Sequence, residues 1–136
     1  MWRWPKIVAT DTQKISMQFD PDARLAAAAG GVARYFADAA GLANGAVSDM
    51  QAAIISVCKQ EIDRLQGHDQ RLEVTLTRSP QRIEVAVTRP LAGATSSNQV
   101  GKPESFPGVD RVQHETAANR EVIRLTKFVS ESASGD

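Results

Sequence analysis

Several things are scarce in this chain, and each scarcity excludes something. It has a single cysteine, Cys58, so no internal disulfide can form, and the thiol suits a packing role in a reducing cytoplasm. It has no net charge, with Lys+Arg 16 against Asp+Glu 16, which removes any electrostatic reason to expect nucleic acid or an anionic membrane as partner. No apolar run is long enough to cross a bilayer; the Ala-rich stretch 25–33 is too short and too internal. The start, Met1-Trp2-Arg3-Trp4-Pro5-Lys6, lacks the apolar run of a secretory signal, so a soluble, cytoplasmic protein is expected. His68 and His114 have no second His or Cys at ligand spacing, which argues against zinc and for two surface histidines. No serine sits in a recognisable nucleophile elbow. Internal repeats are absent. At 136 residues the chain is long enough for one core and too short for two, giving a single domain over 1–129 and a disordered tail over 130–136.

What is present is organised around one stretch, Ser48 to Leu65, which reads as a long amphipathic helix. Ser48 and Gln51 have the spacing of a capping box. Met50, Ile54, Val57, Cys58, Ile62 and Leu65 recur at the helical period and form one apolar stripe that needs a sheet or another helix beneath it. Ser56, Lys59, Gln60 and Asp63 fall on a neighbouring polar strip. Glu61 is the odd residue, because its angular position lies inside the stripe. A carboxylate there needs a partner, such as an arginine at the edge of the core, or else a role as a base.

The rest of the chain supplies the layer for that helix. Ile15, Met17 and Phe19 alternate as a strand with one buried face. Asp20-Pro21-Asp22 opens a second helix with Leu25, Ala28, Ala29, Val32, Tyr35 or Phe36 and Ala39 on its stripe and Gly41 as its stop. Gly30 and Gly31 in its middle lower helix propensity and imply a close approach of backbone to a neighbour. Asn44-Gly45 reads as a turn. Leu72, Val74 and Leu76, then Ile83, Val85 and Val87 across an Arg78-Ser79-Pro80-Gln81 turn, predict a hairpin. A Gly, Pro, Ser and Asn-rich loop covers 90–108. Two further strands follow, Val109 to His114 and Glu121 to Phe128, joined at Ala118-Asn119. The fold class is α+β, a helix-on-sheet sandwich. Trp2 and Trp4 alternate ahead of Pro5, placing both on one side of an extended segment, as a lid on the core or as dimer or partner contacts.

Taken with the strands after it, the helix Ala53-Ile54-Ile55-Ser56-Val57-Cys58-Lys59-Gln60-Glu61-Ile62-Asp63-Arg64 resembles the nucleotide helix of GHKL ATPases, in particular the anti-sigma-factor serine/threonine kinases. The order of elements over 14–129 is similar as well. Gly108-Val109-Asp110-Arg111-Val112 and Ile123-Arg124-Leu125-Thr126-Lys127 look like that family's last two strands. The resemblance implies a two-layer α/β sandwich of the Bergerat, histidine-kinase-like ATPase type, with a mostly antiparallel sheet and helices on one face.

It also implies that the family's site is degenerate here. The helix Glu that serves as general base corresponds to Ser56, which has no accessible pKa for a task worth roughly 100- to 10,000-fold. The magnesium-binding Asn corresponds to Gln60, whose carbonyl sits on a longer arm. The Asp that accepts from the adenine amino group corresponds to Arg89, which has donors only. Leu91 stands at the first glycine of the following turn, and Gly93 alone matches. The phosphate lid would span 94–107, where Gly101 is the sole glycine before the loop's end and Lys102 is a phosphate contact or a solvated side chain. The resemblance therefore implies a non-catalytic module binding a sigma factor or an anti-anti-sigma protein of the STAS type, without cofactor. Two alternatives stay open: an active kinase using ATP and magnesium with Glu61 as base and Gln60 as ligand, and a small-molecule sensor using the vacated pocket.

Overall fold

The computed structural model describes residues 12–65, 70–91 and 106–129. Within them the chain runs β1 (Gln13–Phe19), a 3-10 turn (Ala23–Leu25), α1 (Ala26–Ala39), α2 (Asn44–Asp63), β2 (Leu72–Arg78), β3 (Arg82–Pro90), β4 (Arg111–Ala117) and β5 (Arg120–Phe128). The strands form one open, five-stranded sheet in the order β1-β2-β3-β5-β4. Every pairing is antiparallel. The class is α+β, an antiparallel sheet with two helices packed against it.

Alternation fixes which face of the sheet is covered. Leu72, Val74 and Leu76 on β2, Ile83, Val85 and Val87 on β3, and Ile123 and Leu125 on β5 are buried and join one core cluster with both helices. The residues between them, such as Glu73, Thr75, Glu84 and Arg124, face the other way. That face is held by polar contacts: Arg124 Nη1 donates to Glu84 Oε2 at 3.2 Å and Arg124 Nε to Glu115 Oε2 at 3.3 Å. The hydrogen bond to Glu115, with weaker help from its charge and from Glu84, raises the Arg124 pKa against the opposing effect of desolvation. The β2–β3 connection is tighter than the sequence suggests, because Arg78 and Arg82 both belong to strands and the Ser79 N–H closes the turn on the Arg82 carbonyl at 2.9 Å. The β4–β5 connection is the expected Ala118-Asn119, both at positive φ (42° and 70°), the geometry that matches strand twist in two-residue hairpins. β4 itself starts two residues later than expected, at Arg111, and ends three later, at Ala117.

Both helices and the edge strand β1 correct the sequence reading. α2 starts at Asn44, so Asn44-Gly45 is its first turn and Ser48 caps nothing; Ala43 is the N-cap, without a side-chain bond. The early start carries Val47 into the core at 0% exposure, extending the stripe Val47, Met50, Ile54. Burying a valine is worth about 1.5–3 kcal/mol, against about 1 kcal/mol for a cap, so burial wins. α1 is rotated relative to the expected stripe. Ala26, Ala29, Gly30, Ala33, Phe36 and Ala37 are buried, Ala28 and Ala39 are exposed, and Phe36 is in while Tyr35 is 61% exposed. The contact that sets this rotation is Gly30 on α2: a Cβ there would lie 2.5 Å from Ile55 Cγ1 and 2.7 Å from Cδ1. Gly31 has open space instead, so the close approach belongs to Gly30 alone. On β1 the expected inward face fades toward the margin, with Phe19 buried but Ile15 37% exposed, since the helices do not reach the far end of an edge strand.

The acidic helix start behaves as expected in a different form. Asp22 accepts from the Arg24 N–H at 3.0 Å and also from the Arg24 guanidinium at 3.0 and 2.8 Å, capping the 3-10 turn that leads into α1. Those hydrogen bonds hold the Asp22 carboxyl down at about 2 and raise the Arg24 pKa. The chain then leaves α1 through Gly41 at φ +84°. Gly108 (φ +85°) seats the approach to β4 on α2, where a Cβ would stand 2.6 Å from Asp49 Cβ and 2.8 Å from the Met50 nitrogen. Among the described residues no helix is long and apolar enough to cross a membrane.

Candidate functional site

The ionisable groups gather where α2 ends over the far end of β3. Each arrives there by continuing an apolar pattern. Arg89 follows Ile83, Val85 and Val87 with the same parity, so the strand aims it at the helices. Glu121 stands opposite it in the β3–β5 register and precedes Ile123 and Leu125 on the same face. Glu61 lies one turn after Val57 and Cys58 on the buried stripe of α2.

The result is a compact ion-pair network. Arg89 Nε donates to Glu61 Oε1 at 2.7 Å, and Arg89 Nη2 donates to Glu121 Oε1. The other oxygen of Glu61 lies 3.5 Å from Arg64 Nη1, one turn later on the helix. Side-chain exposure is 2% for Glu61, 11% for Arg89 and 14% for Glu121, while Arg64 reaches solvent at 56%. Two carboxylates thus face two guanidiniums, and no buried side-chain N or O among the described residues lacks a hydrogen-bond partner. Glu61 therefore pairs with arginine at the edge of the core. Its carboxylate is engaged on both oxygens, by Arg89 and Arg64, and is almost fully buried.

The other positions singled out by sequence divide by place. Ser56 is half-buried on the flank of α2, and Lys59, Gln60 and Asp63 beside it are exposed. Cys58 is fully buried, and burial, with the neighbouring Glu61 charge second, pushes its thiol up to about 12, which leaves it protonated and inert at neutral pH. His114 is exposed on β4. Leu91, which the resemblance sets at the first glycine of a turn, donates its N–H to the Asn119 carbonyl at 2.8 Å and so ties the end of β3 to the β4–β5 turn. Gly93, Lys102, His68, Trp2, Trp4 and the tail 130–136 lie outside the described residues. No group of three or more His, Cys, Asp or Glu among the described residues is placed to hold a metal ion.

Two members of the network were not picked out from sequence, Arg64 and Glu121. The signal for Glu121 was available in its parity with Ile123 and Leu125, which puts a carboxylate on the core face of β5 directly across from Arg89. Arg64 carried the weaker signal of i,i+3 spacing from Glu61. No protein-family model matches the chain, and no curated protein matches it either.

Proposed function

We propose that this chain is a non-catalytic regulatory module of the GHKL, anti-sigma-kinase-like kind, a two-layer Bergerat-type sandwich that acts by binding a sigma factor or a STAS anti-anti-sigma protein. The observation that carries the reading is the engagement of Arg89. At the position where such kinases place the purine-binding carboxylate, this chain has a guanidinium turned inward and held by Glu61 and Glu121. A cation with donors only cannot accept from an adenine amino group, and facing two donors leaves a cost of roughly 1–3 kcal/mol per unpaired buried group. The reading of Glu61 as a relocated base is weakened by the same network, because general-base catalysis needs a carboxylate within hydrogen-bond reach of the substrate proton. Regulation would then work by occupancy of a shared surface, with Gln60 and its exposed neighbours Lys59 and Asp63 on the α2 flank as the contact strip.

The experiment is a binding and transfer assay in parallel. Purified sigma factors and STAS proteins from the same genome are passed over the immobilised chain, and the same mixtures are incubated with radiolabelled ATP and magnesium. One of them forms a complex that Gln60→Arg weakens, with no label transferred. Label appearing on a STAS serine, or no binding to any sigma factor or STAS protein, would overturn the proposal.

A further inference from the structure

We propose that the outer edge of β4 is a docking site for a second copy of this chain, the two β4 strands pairing antiparallel about a dyad at Gln113 to continue the sheet from one molecule into the next. β4 closes the sheet, pairing with β5 on one side only among the described strands. Its other side offers a row of backbone donors and acceptors. In a two-residue hairpin the pair flanking the turn, Ala117 and Arg120, is hydrogen-bonded, so alternate residues Val112, His114 and Thr116 turn their N–H and C=O groups to the open edge. Natural edges are normally blunted by lysine, proline, a bulge or a cover. Among the described residues β4 lacks them: its seven residues, Arg111–Ala117, contain no lysine, proline or glycine, the register with β5 runs without a bulge, and Gln113 to Ala117 are all exposed, while the charges it does carry, Arg111 and Glu115, are opposite in sign and so can pair across a dyad. At the opposite margin β1 carries Lys14.

The charges on the strand select a second copy as the occupant. A dyad perpendicular to the sheet keeps each residue on its own face, and with Gln113 on that axis Arg111 of each molecule stands opposite Glu115 of the other. Two unlike-charge pairs form, with Gln113 beside Gln113 between them, in an isologous contact. Within one molecule both charges rest against β5. Arg111 lies with its guanidinium carbon 5.5 Å from the Phe128 ring centre, and Glu115 is held by Arg124 at 3.3 Å. Each Glu115 then sits between its own Arg124 and Arg111 of the second copy. On the helix-side face the same register sets Val112 against His114, and their outward backbone groups pair directly.

Sedimentation equilibrium of the full chain across micromolar to millimolar concentrations tests this. The wild type shows a reversible monomer–dimer equilibrium. Glu115→Arg, which turns both unlike pairs into Arg–Arg pairs, weakens dimerisation about tenfold or more, and the Arg111→Glu, Glu115→Arg double variant restores it. His114→Pro removes an outward N–H that the β4–β5 ladder does not use and abolishes the dimer, with the fold checked by circular dichroism. Amide exchange at Val112, His114 and Thr116 slows as concentration rises. A chain monomeric at every concentration would overturn the proposal. So would a dimer indifferent to these variants, including one lost only when Trp2 and Trp4 are replaced, or one in which the charge swap fails to rescue a folded Glu115→Arg protein.

Discussion

Arg89 is the residue on which most turns. It is the one cation that two nearly buried carboxylates share, so its removal leaves both without their main partner. Arg89→Met is expected to lower stability by about 3 kcal/mol, read from urea denaturation, because truncating one partner of a buried pair strands the other charge. Glu61→Gln, which keeps an acceptor for Arg89 Nε, costs less. Adding Glu61→Leu and Glu121→Leu to Arg89→Met recovers most of the loss, since well-packed apolar side chains replace such networks at little cost. Asp22 gives a residue-scale prediction of a different kind. Its carboxyl is held at about 2 against the ordinary 3.8, so the folded state binds fewer protons and Asp22 contributes stability above the ordinary carboxylate range. That contribution is lost as pH falls from about 4 toward about 2. Asp22→Asn removes this part of the acid slope, which urea midpoints measured across that window will show as a shallower decline in the variant.

At the scale of elements, the packing of α1 on α2 and of α2 on the β4 approach rests on backbone-close contacts that substitution can separate. Gly31→Ala fills open space and gains helix propensity, so stability rises by about 0.5–1 kcal/mol. Gly30→Ala drives a methyl into Ile55 and falls by roughly 1 kcal/mol net, as overpacking outweighs the same propensity gain. Gly108→Ala is worse, about 2 kcal/mol or more, because the obstacle is the α2 backbone and the residue also needs positive φ. Thermal melts of the three variants check the order. These contacts also explain what was readable beforehand. The hairpin, the α2 stripe and the Ala118-Asn119 turn follow from alternation, period and turn chemistry, which are local. The rotation of α1 was not readable, because an alanine-rich helix has apolar residues all round and only Ile55 on another element decides which face goes in. The α2 start misled because a capping-box pattern at Ser48 competes with burial of Val47, and burial is a tertiary fact. In the candidate site, Glu61 and Arg89 each looked out of place alone; their pairing spans 28 positions, and no local pattern joins them.

For the whole molecule, the decisive question is whether any nucleotide is linked to folding. A ligand that binds the native state and not the unfolded chain stabilises the entire domain, by about 2.7 kcal/mol when present at a hundred times its dissociation constant. In a domain of this size that displaces the melting midpoint by several degrees, which is easily measured. If the Arg89 network has replaced the purine acceptor, Mg-ATP should leave both the thermal midpoint and the urea midpoint where they are. The control is a variant in which the network is opened. Arg89→Asp supplies the carboxylate an adenine amino group needs, yet sets it beside Glu61 and Glu121, so three acids crowd one site and the protein loses stability by several kcal/mol. A return of ATP-dependent stabilisation in that variant is not expected either, because Leu91 still ties β3 to the β4–β5 turn through Asn119. Insensitivity to Mg-ATP in both proteins is therefore the predicted pattern. A midpoint that rises with Mg-ATP in the wild type would mean that nucleotide finds acceptors elsewhere in this fold, and the non-catalytic reading would have to be abandoned for the whole chain.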